Sequence, residues 1–125
     1  MTELIAIAIG GAIGALARHG VAALGNSWFG TGFPYGTLMA NVIGSLLTGI
    51  AYVLLVERAA LSPAARAAII VGFLGALTTF STYSLQAVAL LEEGRPGAAA
   101  LYIVGSVLLC LSATAAAIWA TRTLS

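Results

Sequence analysis

An all-α membrane protein with four transmembrane helices is the fold class this sequence predicts, and three observations carry that expectation. Hydrophobic residues make up 61% of the chain and charged residues only 7%, and the mean hydropathy of +1.07 is far above that of water-soluble domains. Apolar residues gather in four runs, near 4–25, 36–56, 67–91 and 98–121, each close to the roughly 20 residues a helix needs to cross a bilayer core. Between the runs stand the Gly, Pro, Asn and Ser of turns. Helices are required because an open strand would leave backbone groups unpaired in lipid. The spans use up the 125 residues as one transmembrane domain, 1–125, with no length for a separate catalytic unit.

Composition also excludes function classes. The net charge is +1, arginine supplies all five cations, and no basic run exists for nucleic acid. No nucleotide motif, metal-ligand cluster or activated nucleophile is present, so the chain reads as something other than an enzyme. Cys110 stands alone and forms no intrachain disulfide.

The first run opens with MTE, an acid where a cleaved signal needs a positive region, and it is too long for a signal core. It carries a Gly10/Gly14 pair of GxxxG type, a face that lets helices approach closely in lipid, and then Arg18 and His19 towards its end. The second run has two stripes at helical spacing. Gly36, Ala40, Gly44 and Thr48 form a packing face, whereas Thr37, Asn41, Ser45 and Gly49 place an amide and hydroxyls in apolar surroundings. The third run holds TTFSTYS, Thr78 to Ser84, where six of seven residues carry a hydroxyl. The fourth repeats the polar stripe in Tyr102, Ser106, Cys110 and Thr114. One such row is ordinary interhelical glue; two rows together with the hydroxyl-rich run of the third helix suggest a lined pathway.

Four spans put both termini and the second loop on one side of the membrane. That side carries Arg58, Arg66 and Arg122; the other carries Arg95 and, if it snorkels to the nearer surface, Arg18. Three arginines against two barely bias insertion. Two readings stay open: a chain oriented by other means, or one that inserts both ways and pairs as an antiparallel, dual-topology homodimer. No internal repeat supplies that symmetry within one chain, so two chains would make it.

The pathway's chemistry suits an anion. No acid lies near any span centre, whereas a proton-coupled exporter of organic cations needs a carboxylate there. Hydroxyls, amides and the positive edges of aromatic rings such as Phe80 are donors instead. Arg18 would add a favourable field near one mouth, or simply anchor the first helix to headgroups.

GFLGALTTFSTYS (Gly72 to Ser84), GGAIGALAR (Gly10 to Arg18), PYGTLMANVIGS (Pro34 to Ser45) and the Tyr102 plus Ser106 pair resemble the signature of the small fluoride channels called the Fluc or CrcB family. The likeness covers all four spans in order. It implies an antiparallel dimer whose third helix breaks mid-membrane at TTFST, with carbonyls of Gly75 and Thr78 from both copies holding a central structural sodium ion. It implies two pores per dimer, each lined by Phe80 and Tyr83, by Asn41, Tyr102 and Ser106, and by the nearby hydroxyl of Thr82. Thr79, Ser81 and Thr82 are expected to cap the backbone groups freed by the break.

The implied function is passive fluoride export across the plasma or inner membrane by a multi-pass channel, with fluoride, sodium, lipid and a second copy as partners. Three positions depart from the family's pattern: Tyr83 where phenylalanine is usual, Gln86 where an acid is common, and Cys110 where a hydroxyl is frequent. The alternatives are a small multidrug-type exporter, matched in size but lacking the intramembrane acid, and a non-conducting helical subunit whose polar rows are only glue.

Overall fold

Four helical spans, Thr2–Phe29, Tyr35–Glu57, Pro63–Glu92 and Pro96–Leu124, make up the computed structural model, which describes residues 1–125. They are here called spans 1 to 4. Each outruns the apolar stretch that predicts it. Span 1 passes through the segment read as a turn because nothing in Asn26 to Phe29 breaks a helix; it stops at Gly30, whose φ of 81° only glycine adopts cheaply. Span 3 starts early because Ser62 accepts a hydrogen bond from the Ala65 N–H (3.2 Å) and Pro63 occupies the first turn.

Spans 1 and 4 are continuous α-helix, whereas span 2 widens into a π-helical segment over Tyr52–Glu57. Span 3 is interrupted, as expected. It runs as α-helix over Pro63–Ala67, as π-helix over Ala68–Leu74 and as a last α-turn over Gly75–Leu77. Thr78 is then extended (φ −93°, ψ 156°), and helix resumes at Ser81. The break falls near the middle of the span, where lipid could not satisfy its backbone.

Small residues set the packing around this break. Span 1 lies against the π-helical part of span 3 so closely that a Cβ at Gly10 would stand 2.1 Å from the Ala68 carbonyl oxygen. On span 2, a Cβ at Gly44 would stand 2.2 Å from Thr78 Cγ2, so a glycine there admits the break itself. Two small cores result. Ala51, Leu55, Leu74 and Leu77 pack before the break, and Tyr83, Ala87, Leu90, Ala99 and Tyr102 after it.

The loop arginines tie helix ends together. At one end Arg122 pairs with Glu57 (Nε to Oε1, 3.0 Å), Arg58 donates to Ser125 Oγ (2.6 Å), and Arg66 donates to the Leu55 carbonyl (3.1 Å). At the other, Arg95 donates to the Gly32 carbonyl and lies 3.8 Å from Glu93. Arg18 does not join these helix-end contacts. Because span 1 continues to Phe29, Arg18 sits mid-span and bonds to the break, which corrects the expectation of a snorkelling or headgroup-anchoring arginine. The loop-side balance is therefore three arginines against one.

Candidate ion path

The break frees backbone groups, and polar side chains from three spans take up part of them. Asn41 of span 2 presents its carboxamide to Thr79: the Thr79 N–H donates to Oδ1 (2.8 Å), and Nδ2 donates to the Thr79 carbonyl (3.1 Å). This two-point match imitates a backbone partner and holds the peptide at the interruption. A carboxamide has two N–H donors and Thr79 takes one, which leaves the second for a ligand.

Arg18 clamps the break from the other side. Its Nε donates to the Ala76 carbonyl (3.1 Å) and its Nη1 to Thr82 Oγ1 (3.4 Å), so one guanidinium bridges the two halves of span 3. The hydroxyl run divides its work. Thr79 Oγ1 caps the restarting helix by accepting from the Thr82 N–H (3.2 Å), and it lies 3.3 Å from Ser81 Oγ. Thr78 and Ser84 turn back to the carbonyls four residues earlier, at Leu74 (3.0 Å) and Phe80 (2.9 Å). Of the three expected caps, Thr79 makes one directly; Thr82 serves as acceptor for Arg18 instead.

Three carbonyls stay unpaired. Those of Gly75, Leu77 and Thr78 accept no hydrogen bond, whereas the intervening Ala76 carbonyl is taken by Arg18. Gly75 is exposed on the single chain and Thr78 is half-buried.

Beside the break opens a cavity of about 310 Å³. Span 2 contributes Asn41, Ser45 and Thr48; the break contributes Thr78, Thr79, Phe80 and Tyr83; span 4 contributes Ser106, Val107, Cys110 and Thr114. No acidic or basic side chain lines it. The two polar stripes thus converge on one space. Ser45, Cys110 and Thr114 stand on the polar stripes that suggested a lined pathway, whereas Thr48 lines the cavity from the row read as a packing face.

The remaining candidates lie further along. Tyr102 is buried and lines an adjoining cavity of about 260 Å³, which shares Ser106 with the first. The hydroxyl of Tyr102 donates to Gln86 Oε1 (2.9 Å), and Gln86 faces a third cavity of about 280 Å³ that reaches Arg95 and Glu93 at the loops. Phe33 lines both of these. The ring of Tyr83 lies between Phe80 (5.4 Å) and Tyr102 (5.1 Å), and its hydroxyl donates to the Ile103 carbonyl of span 4 (2.7 Å). The unusual hydroxyl is thus bonded to a helix backbone. Thr82 and Arg18 brace the break and line none of the three cavities.

Phe80 is 77% exposed, directly beside the unpaired carbonyls. Ser106 shows the opposite mismatch: its hydroxyl is buried and has no hydrogen-bond partner.

A family model described as CrcB-like protein, Camphor Resistance (CrcB), matches residues 5–118. Among similar proteins, one from Methylococcus capsulatus named fluoride-specific ion channel FluC is 54% identical over 111 residues, which is 89% of this chain and 49% of that protein. Proteins of the same name from Hahella chejuensis and from Geobacter sp. strain M21 are 46% and 44% identical, covering 96% and 99% of this chain and 94% and 100% of theirs. This chain spans about half the length of the Methylococcus relative and nearly all of the other two.

Proposed function

The chain belongs to the CrcB family, and from that premise we propose that it is a fluoride channel that lets the anion leave the cell passively. The carrying observation is the cavity beside the break, walled by hydroxyls, an amide, a thiol and aromatic rings and by no carboxylate, imidazole, amine or guanidinium. Fluoride is small and strongly hydrated, so a path through lipid must replace its water with donors at each step. Leaving a buried polar group uncompensated costs several kcal/mol, and a bare ion costs far more. Asn41 offers its spare N–H, Ser106 its unmatched hydroxyl, and Phe80 a positive ring edge. No carboxylate is available to exchange an organic cation for protons, which argues against the multidrug-type alternative.

In the same reading the working unit is an antiparallel homodimer with two pores. The exposure of Phe80 beside open carbonyls supports a second copy on this face, since lipid can neither accept nor donate hydrogen bonds. The donor set also fits a sodium ion: Gly75 and Thr78 offer unpaired carbonyl oxygens, the hard neutral ligands such a cation takes. Carbonyls from two copies would hold it, and it would pin the break by neutralising converging oxygen dipoles.

Purified protein in liposomes tests the function. Fluoride efflux read by an ion-selective electrode should be fast and chloride efflux at background under the same gradient. Equal leakage of both halides, or flux that needs a proton gradient, would refute the proposal.

A further inference from the structure

We propose that Cys110 is a covalent modification site within the ion path, where a small sulfur electrophile attaches and closes conduction. The inference rests on the reading of the cavity beside the break as that path, and three observations carry it. Cys110 is a free, half-buried thiol whose side chain lines the cavity of about 310 Å³. One helical turn before it, the hydroxyl of Ser106 is buried without a partner on the same cavity, and Ser106 is only 5% exposed. A buried hydroxyl with no partner calls for one that the single chain does not supply. One turn after it, the Thr114 hydroxyl is committed to the Ser45 carbonyl (2.9 Å) and offers its proton to nothing else. On span 4 the thiol therefore stands between an unmatched hydroxyl and a committed one.

The surroundings also limit which chemistry is open to it. No group of three or more His, Cys, Asp or Glu side chains stands around it within the chain. What remains is reaction at one sulfur. With a methanethiosulfonate, the Cys110 proton goes to water and the thiolate attacks the sulfenyl sulfur. The reagent's S–S bond breaks, methanesulfinate leaves with its electron pair, and a mixed disulfide forms on Cys110. Oxidation states balance within the two reactants. The cavity lies at the small end of ligand pockets, so a bulky adduct on its wall occupies much of the space a passing ion would use.

The chain has one cysteine, which makes any thiol adduct assignable. Liposomes holding the intact protein would be treated with 2-(trimethylammonium)ethyl methanethiosulfonate, fluoride efflux followed before and after, and the adduct counted by intact-protein mass. The expected result is one adduct per chain, efflux lower by about tenfold or more, recovery with dithiothreitol, and no response of Cys110→Ser relative to its own untreated rate. Protein that conducts but takes up no adduct, or takes up a full adduct and conducts as before, overturns the modification site while leaving the channel reading intact. Protein that passes no fluoride before treatment overturns the channel reading and this proposal together.

Discussion

Asn41 joins the architecture of the break to the proposed ion path. Its carboxamide holds the Thr79 peptide through both a donor and an acceptor. Asn41→Asp keeps the size but replaces the donor with an oxygen facing the Thr79 carbonyl and brings a charge that costs about 2.5–3.5 kcal/mol at mid-membrane. Fluoride efflux should fall by about tenfold or more, and an unchanged rate would remove Asn41 from the path. Tyr83 leads to the opposite expectation. With its hydroxyl donated to Ile103, Tyr83→Phe should lose about 0.5–1.5 kcal/mol of stability and keep efflux within about threefold. A large acceleration would mean that the hydroxyl obstructs the ion. The lining role of Asn41 and Ser106 was readable from stripe spacing, because i, i+4 residues share a helix face. The clamp made by Arg18 was not, since nothing local says that a guanidinium will bond to a carbonyl 58 positions away.

At the level of elements, all four spans and the interruption of the third were legible from apolar run length and from the resemblance. Their ends were not. Hydropathy marks where lipid stops, whereas a helix stops where its backbone is broken or capped, as at Gly30 and Ser62. The π-helical segments had no local signature either. They appear where tertiary contact overrides propensity, as where span 1 presses on the backbone of Ala68–Leu74. That contact predicts a contrast between two glycines of span 1. Gly10→Ala forces backbone apart and should cost about 1–3 kcal/mol, whereas Gly20→Ala meets no atom within 4 Å and should change stability by less than about 0.5 kcal/mol. Thermal unfolding in detergent measures both, and equal effects would count against the close helix contact.

The whole molecule is an inverted solution to the problem of solvation. Most of its apolar surface faces outward, only 22 of 125 residues are buried, and the polar groups gather around one interruption. Carbonyls left open at Gly75 and Thr78 would make a lone chain costly in lipid. If two copies pair around sodium as proposed, replacing sodium with a large organic cation should slow fluoride efflux or weaken crosslinking between copies, and indifference to that exchange would argue against a central ion. Once Arg18 is placed at the break, the loop arginines stand three to one, a stronger bias than the three to two counted along the sequence.

Selective conduction through an uncharged, donor-lined path is the central claim, and reversal potential in a planar bilayer tests it most directly. With fluoride and chloride gradients set in opposite directions, the current should reverse at the fluoride equilibrium potential and stay there when the proton gradient is changed. A reversal near the chloride potential, or one that follows pH, would contradict the account.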